Sequence, residues 1–156
     1  MTTKYLPPTI GTSPAHIKAQ HRIVSLLEDH YDIVTVEHSM PTPNPKYVYD
    51  GEEFSVKPYD LDVYASEPSY GCLCKYTTLG IEIDGKVGHK TSKHQTIRDA
   101  QRTDSLEKQY PYLTMKRFDT KDLVGRGYVN PKTKKRHPIL TDAEILAELG
   151  VFCTHV

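Results

Sequence analysis

The chain has 156 residues and a mass of 17.7 kDa, which is the size of one domain and argues against a second one. Hydrophobic residues make up 37% of it and charged residues 26%, a balance typical of globular proteins and not of disordered chains, and no apolar run approaches the ~18 residues of a membrane span. Twenty basic and twenty acidic residues cancel to a formal net charge of zero, which taken alone argues against a nucleic-acid partner.

The first part of the chain predicts one helix followed by several strands. Ser13 and Pro14 suit the N-cap and the first turn of a helix, and apolar residues at helical spacing extend it to about Tyr31. The turn sequence Asp50-Gly51, between two short apolar segments, predicts a hairpin. The predicted strands cover residues 32–38, 47–49, 54–56, 59–65, 72–76 and 79–85.

The second part predicts a helix, a strand and a further helix. The first helix covers residues 93–109 and is poor in apolar residues, so we expect it to cover a working site rather than to fill a core. A strand follows over residues 113–118, and Thr141 with Glu144 predicts the capping box of a C-terminal helix. This order predicts an α/β (α+β) fold, a mixed central sheet flanked by helices, in a single domain over residues 1–156.

The neutral total hides a segregated charge. Residues 86–136 carry a net charge of +9, whereas residues 1–85 carry −6 and residues 137–156 carry −3. Such segregation can place a positive surface beside a cluster of carboxylates. A metal-dependent enzyme that acts on a polyanion needs both, because carboxylates bind the cation while Lys and Arg hold the phosphates.

Four carboxylates on two predicted strands are the strongest chemical signal. Side chains two residues apart share one face of a strand, so Asp60 and Asp62 are expected to point the same way, as are Glu82 and Asp84. Carboxylates in mid-strand are costly unless a cation or hydrogen bonds neutralise them. The pattern predicts a site for Mg²⁺ or Mn²⁺, which lowers the pKa of a bound water, with Lys86 placed to orient that water.

These residues resemble a known family. The segments KPYDLD (57–62) and IEIDGK (81–86) are similar to the PD-(D/E)XK signature of restriction-endonuclease-like nucleases, and His89, the later RDxxR (98–102) and KRF (116–118) are similar to the very-short-patch-repair-like branch. The likeness covers about residues 14–120 and leaves the basic loop and helix of 121–156 unmatched. It implies an αβββαβ core and metal-dependent hydrolysis of phosphodiester bonds in DNA.

The two family motifs can each be aligned with this sequence in two ways. A tyrosine splits the proline–aspartate pair of the family, so either Asp60 or Asp62 is the first ligand. In the second motif, Glu82-x-Asp84 and Asp84-x-Lys86 both fit. We expect a catalytic set of Asp62, Glu82, Asp84 and Lys86, and metal ligands drawn from Asp60, Asp62, Glu82 and Asp84.

Further residues are assigned to the nucleic acid. The resemblance implies that Gln95 and Arg102 contact the scissile phosphate and that Glu28 on the first helix adds an outer carboxylate near the metal. The basic loop 132–136 is placed to hold a nucleic-acid backbone by charge. The candidate nucleic-acid contacts are His89, Gln95, Arg98, Arg102, Lys132, Lys134, Lys135 and Arg136.

Three alternatives stay open from the sequence. One is a catalytically inactive nucleic-acid-binding module on the same fold, because the proline–aspartate pair is split and the lysine is shifted. Another is a nuclease that acts on RNA, which no sequence feature excludes. The last is a zinc site made by Cys72-x-Cys74 and Cys153-x-His155, although structural zinc more often has two residues between paired ligands.

Location and assembly complete the expectations. Three cysteines, an odd number, fit a reducing compartment, and the N-terminus lacks the apolar segment of a signal peptide. We therefore expect a cytoplasmic protein with DNA as its partner and no membrane partner. Nucleases of this kind often pair to cut two strands, so the C-terminal helix is a candidate surface for a homodimer.

Overall fold

A computed structural model describes residues 2–4, 14–40, 46–55, 59–84, 100, 103–125, 132 and 139–152. These residues form a mixed α/β arrangement, as the sequence predicts, with helices packed on a sheet that contains parallel and antiparallel strands. The strands are β1 (Thr2–Lys4), β2 (Tyr31–Met40), β3 (Lys46–Tyr49), β4 (Glu52–Ser55), β5 (Tyr59–Pro68), β6 (Thr78–Asp84) and β7 (Leu113–Asp119). The described helices are α1 (Pro14–Leu27), α2 (described over residues 103–109), α3 (Thr120–Val124) and α4 (Asp142–Glu148).

The main sheet has the strand order β1-β2-β5-β6-β7. The short β1 runs parallel to β2 at one edge, β2, β5 and β6 are antiparallel neighbours, and β7 joins β6 in parallel. The strands β3 and β4 form a separate hairpin, as predicted. Its turn residues Asp50 and Gly51 have φ values of 51° and 78°, the left-handed conformation that suits a two-residue hairpin turn.

Helix α1 covers one face of the main sheet. Its buried residues, among them Ile23, Val24 and Leu27, pack against apolar side chains of β2, β5 and β6 to form the main core. The prediction that this helix continues to Tyr31 is wrong, because the helix ends at Leu27 and Tyr31 begins β2. Tyr31 still lies in the core, where its hydroxyl donates to the Tyr76 carbonyl over 2.6 Å.

A smaller core lies on the other face of the sheet. Leu106 of α2 is buried there against Leu61 and Leu113, so the expectation that α2 fills no core is wrong at this residue. Gly80 makes this packing possible, because a Cβ at that position would lie 2.6 Å from the Met115 sulfur. The other described residues of α2 are half-buried or exposed.

The C-terminal segment buries Ile145, Leu149 and Val151 in the main core and is also held by an arginine and a short strand pairing. Arg22 of α1 donates to the carbonyls of Leu123 and Leu140, at 2.8 and 2.6 Å. Cys74 pairs with Val151 in an isolated antiparallel bridge, and no longer strand forms over the predicted range 72–76. None of the described helices is both long enough and apolar enough to cross a bilayer.

Candidate metal centre

Asp62 lies where β5 and β6 separate. The pairing between these strands ends at Val63 and Ile81, although β6 continues to Asp84. Beyond that point the Ile83 amide donates to Asp62 Oδ2 over 2.7 Å, so a side chain replaces the next backbone hydrogen bond. This contact fixes the carboxylate at the end of the ladder and leaves its other oxygen, Oδ1, directed elsewhere.

The first turns of α1 supply the neighbours of this carboxylate. His16 Nε2 lies 3.1 Å from Asp62 Oδ1. One turn later, Gln20 Nε2 donates to Glu37 Oε1 over 2.8 Å and to the Asp62 carbonyl over 3.1 Å. A buried glutamine thus joins helix α1 to two neighbouring strands, β2 and β5, and holds the Glu37 carboxylate beside Asp62.

Glu37 has an unusual backbone for a strand residue. Its φ is 49°, a left-handed value that is uncommon for residues other than glycine. The neighbours Val36 and His38 keep their register with Val63 and Leu61, so the irregularity is confined to this one position of β2. Strained backbone of this kind persists where surrounding contacts fix it, and the hydrogen bond from Gln20 is such a contact.

Together, His16, Glu37 and Asp62 form the candidate metal centre. Each offers one ligand atom, and these atoms lie within 4.8 Å of one another. Across the described ranges, these three are the His, Cys, Asp and Glu side chains that come close enough in a set of three to share one ion. All three are half-buried. One nitrogen and two carboxylate groups are suitable donors for a divalent cation.

Electrostatics couple the histidine to the carboxylates. The hydrogen bond that His16 makes to the Asp62 carboxylate raises the pKa of His16, burial opposes the rise, and the charges of Asp62 and Glu37 add to it. The imidazole therefore carries a proton more readily than an isolated histidine, since positive charge is favoured next to two carboxylates.

The other three predicted carboxylates, on β5 and β6, are not part of the three-residue group. Asp60 is exposed on β5, opposite Ser39. Glu82 is half-buried on β6, with its Oε1 atom buried. Asp84 is exposed, and its Oδ1 lies 3.2 Å from Nη1 of Arg117 on β7. Of the four predicted ligands, the structure thus brings Asp62 into the centre and places Glu82 and Asp84 on either side of the residue that Asp62 contacts.

Most of the predicted nucleic-acid contacts lie outside the described residues. Those outside are Lys86 of the catalytic set and His89, Gln95, Arg98, Arg102, Lys134, Lys135 and Arg136. Lys132 is described and is exposed.

Glu28 follows the last turn of α1, about 18 Å along the helix from His16 at 1.5 Å per residue. His16, and not Glu28, is therefore the α1 side chain beside the carboxylates.

The predicted zinc site is described only in part. The Cys72 sulfur lies 3.6 Å from Nδ1 of the buried His30, and the Cys74 sulfur lies 3.6 Å from the His30 carbonyl oxygen. Cys153 and His155 lie outside the described residues. The zinc site therefore stays a prediction.

His16, Gln20 and Glu37 are not among the residues that the sequence pattern predicts for the site. The spacing of His16 and Gln20, four residues apart on one helix, places them on the same face and was available as a signal. Glu37 had no such sequence signal, because its position depends on a left-handed residue inside a β-branched strand.

No protein-family model, no curated protein and no solved structure matches this chain.

Proposed function

We propose that this protein is a metal-dependent nuclease that hydrolyses phosphodiester bonds in DNA, using Mg²⁺ or Mn²⁺ held by Asp62 together with His16 and Glu37. The observation that carries the proposal is the convergence of three ligand atoms within 4.8 Å at the point where β5 and β6 separate. Three protein ligands would leave room on the cation for water, for phosphate oxygens and for a further carboxylate. A cation bound in this way lowers the pKa of its water and stabilises the charge that develops on the phosphate.

The carboxylates of β6 have a place in this proposal. The hydrogen bond from the Ile83 amide joins Asp62 to the part of β6 that carries Glu82 and Asp84. In the proposed reaction Glu82 and Asp84 complete the binding of cation and water. Lys86, two residues further along, assists the attack of that water on the phosphate.

Element order and charge also support the proposal. The elements α1, β2, β5, β6, α2 and β7 follow the order helix, three strands, helix, strand that the resemblance to restriction-endonuclease-like nucleases implies, with the β3–β4 hairpin as an insertion. The segment 86–136 carries a net charge of +9 and follows directly after β6. Binding through such a segment releases counterions from DNA, so affinity is expected to fall steeply with salt.

The test is a cleavage assay on the full chain with linear and supercoiled DNA, and with RNA of the same sequence, in Mg²⁺ and in Mn²⁺. Asp62→Asn and Glu82→Ala are expected to abolish metal-dependent cutting while circular dichroism shows a folded protein. Asp60→Asn is the matched control, because Asp60 is an exposed aspartate on the same strand. Cutting that survives Asp62→Asn would overturn the proposal, and cutting of RNA alone would move it to the ribonuclease alternative.

A nucleic-acid-binding module without catalysis is the second candidate. The contact between Asp84 and Arg117 favours it, because an aspartate engaged by a guanidinium is less available to a metal. This candidate predicts that DNA binds with salt-dependent affinity and is not cut in either metal. Mobility-shift and cleavage measurements on one preparation separate the two candidates.

A further inference from the structure

The donor atoms of the centre differ from those that Mg²⁺ prefers. Mg²⁺ binds oxygen almost exclusively, keeps several waters and loses them reluctantly. Imidazole nitrogen suits first-row transition metals such as Mn²⁺, Fe²⁺, Co²⁺ and Zn²⁺. In this centre His16 Nε2 is one of three protein ligands, 3.1 Å from the nearest carboxylate oxygen.

Hydrogen bonds around the centre orient both carboxylates. Asp62 Oδ2 accepts from the Ile83 amide over 2.7 Å, and Glu37 Oε1 accepts from Gln20 over 2.8 Å. Donors of this kind orient metal ligands and raise their affinity. Asp62 Oδ1 faces His16 Nε2 at 3.1 Å, so a cation bound here would replace the proton that these two atoms share. Because one oxygen of each carboxylate already accepts a hydrogen bond, the centre offers fewer oxygens than the six to eight that Ca²⁺ takes.

Burial of the centre also favours transition-metal ions over Mg²⁺. The side chains of His16 and Asp62 are 17% and 14% exposed. An ion at this depth has to exchange part of its water for direct protein ligands, and Mg²⁺ gives up water less readily than transition-metal ions bound by nitrogen do.

From these observations we infer that the centre takes a first-row transition-metal cation in preference to Mg²⁺ and Ca²⁺, and that His16 is the residue that determines this preference. The inference rests on the metal centre of the proposed function but not on the cleavage of DNA. It narrows the cofactor from any divalent cation to the class of ions that imidazole binds.

The experiment measures metal binding to the full chain directly, by calorimetry with Mn²⁺, Zn²⁺, Mg²⁺ and Ca²⁺ and by electron paramagnetic resonance of Mn²⁺. We expect Mn²⁺ to bind at least about tenfold more tightly than Mg²⁺, and Zn²⁺ more tightly than Mn²⁺. His16→Asp replaces the nitrogen by an oxygen ligand and is expected to remove most of the Mn²⁺ preference. His21→Asp is the matched control, because His21 is an exposed histidine of the same helix, and is expected to keep the preference.

A second measurement needs no variant. In the wild-type protein, bound Mn²⁺ is expected to show an electron spin-echo modulation from a directly coordinated ¹⁴N nucleus. Equal affinities for Mn²⁺ and Mg²⁺, a His16→Asp variant that binds with the wild-type preference, or the absence of ¹⁴N modulation from bound Mn²⁺ would each overturn the inference.

The outcomes separate this inference from the nuclease proposal. If Mg²⁺ and Mn²⁺ bind with equal affinity and support Asp62-dependent cutting equally, the inference is wrong and the nuclease proposal stands. Mn²⁺ bound through ¹⁴N without any cutting supports the inference and removes the nuclease. If no divalent cation binds, both are wrong.

Discussion

The side-chain amide of Gln20 joins helix α1 to Glu37 of β2 through a hydrogen bond of 2.8 Å, and it reaches the Asp62 carbonyl from the same nitrogen. Gln20 is buried, so no water readily replaces it. One neutral side chain therefore sets the distance between the helix that carries His16 and the two strands that carry the carboxylates. We interpret Gln20 as a positioning residue for the candidate metal centre.

Replacing Gln20 by methionine keeps most of the side-chain volume and removes the donor. We expect Mn²⁺ affinity to fall about tenfold or more, since loss of a group that orients a metal ligand has this effect. Stability of the metal-free protein should fall by about 1–3 kcal/mol, because Glu37 loses a partner in a half-buried place. Calorimetric titration and urea denaturation give the two values. Lys18→Met, at an exposed position of α1, is the control, and an unchanged Mn²⁺ affinity in Gln20→Met would contradict the interpretation.

Arg22 is expected to be a main attachment of the C-terminal segment. Its guanidinium donates to two backbone carbonyls, at Leu123 and Leu140, and also to Asp142 Oδ1 over 2.9 Å. Arg22→Lys keeps the charge but lacks the planar fork that serves both carbonyls, so we expect a loss of roughly 2–3 kcal/mol in unfolding free energy. Asp142→Asn should cost less than about 1 kcal/mol, because that carboxylate is largely exposed. Equal urea midpoints for the two variants would show that the carbonyl contacts do not stabilise the fold.

Gly150 and Gly71 test the difference between backbone strain and steric conflict. Both have positive φ, 72° and 84°. A Cβ on Gly150 would lie 2.8 Å from Lys75 Cβ and 2.8 Å from a ring carbon of Tyr76, whereas a Cβ on Gly71 meets nothing within 4 Å. Gly71→Ala should therefore cost about 1–2 kcal/mol from the left-handed backbone, and Gly150→Ala about 1–3 kcal/mol more from crowding. Thermal or urea denaturation measures both, and equal losses would argue against close packing at Gly150.

The capping box of α4 gives the protein a dependence on acid. Thr141 Oγ1 accepts from the Glu144 amide over 3.1 Å, and Glu144 Oε1 accepts from the Thr141 amide over 3.0 Å. The bond from the Thr141 backbone, and then that involving its side chain, lower the pKa of Glu144 below its ordinary value of 4.5. Since the folded-state pKa is the lower one, the ionised carboxylate stabilises the fold above the ordinary value, and this contribution is lost as pH falls through the folded-state pKa.

Glu144→Gln provides the comparison, because glutamine keeps the acceptor oxygen of the capping box but does not titrate. We expect the urea midpoint of the wild type to exceed that of Glu144→Gln at pH 7 and the difference to shrink as the pH falls below 4.5. Thr141→Val, which removes the hydroxyl, should reduce the difference. If the urea midpoints of the wild type and Glu144→Gln keep a constant difference from pH 7 to pH 3, Glu144 is not the group that causes the acid dependence.

Local signals in the sequence predicted the parts of the fold that depend on neighbouring residues. Asp50-Gly51 marked the hairpin turn, because both positions need positive φ, and Thr141 with Glu144 marked the start of α4. The predicted strand over 113–118 corresponds to β7. The errors occurred where distant contacts decide: Tyr31 continues the helical spacing but begins β2.

The residues of the candidate site also fall into two groups: one that the sequence indicated and two that only the structure shows. From the sequence, Asp62 could be named as one of four candidates with Asp60, Glu82 and Asp84, because a carboxylate inside an apolar strand needs a partner wherever that strand lies. His16 and Glu37 are 21 residues apart along the chain and are joined to Asp62 only when α1 packs across β2 and β5. Strand alternation gave no indication of Glu37, since alternation holds for regular extended backbone and the left-handed residue interrupts it. The sequence by itself thus determined most of the strands and the set of acidic residues that stand out. The tertiary structure alone decided which side chains share one point, because the rotation of a helix on a sheet and a single positive φ are set by packing between elements.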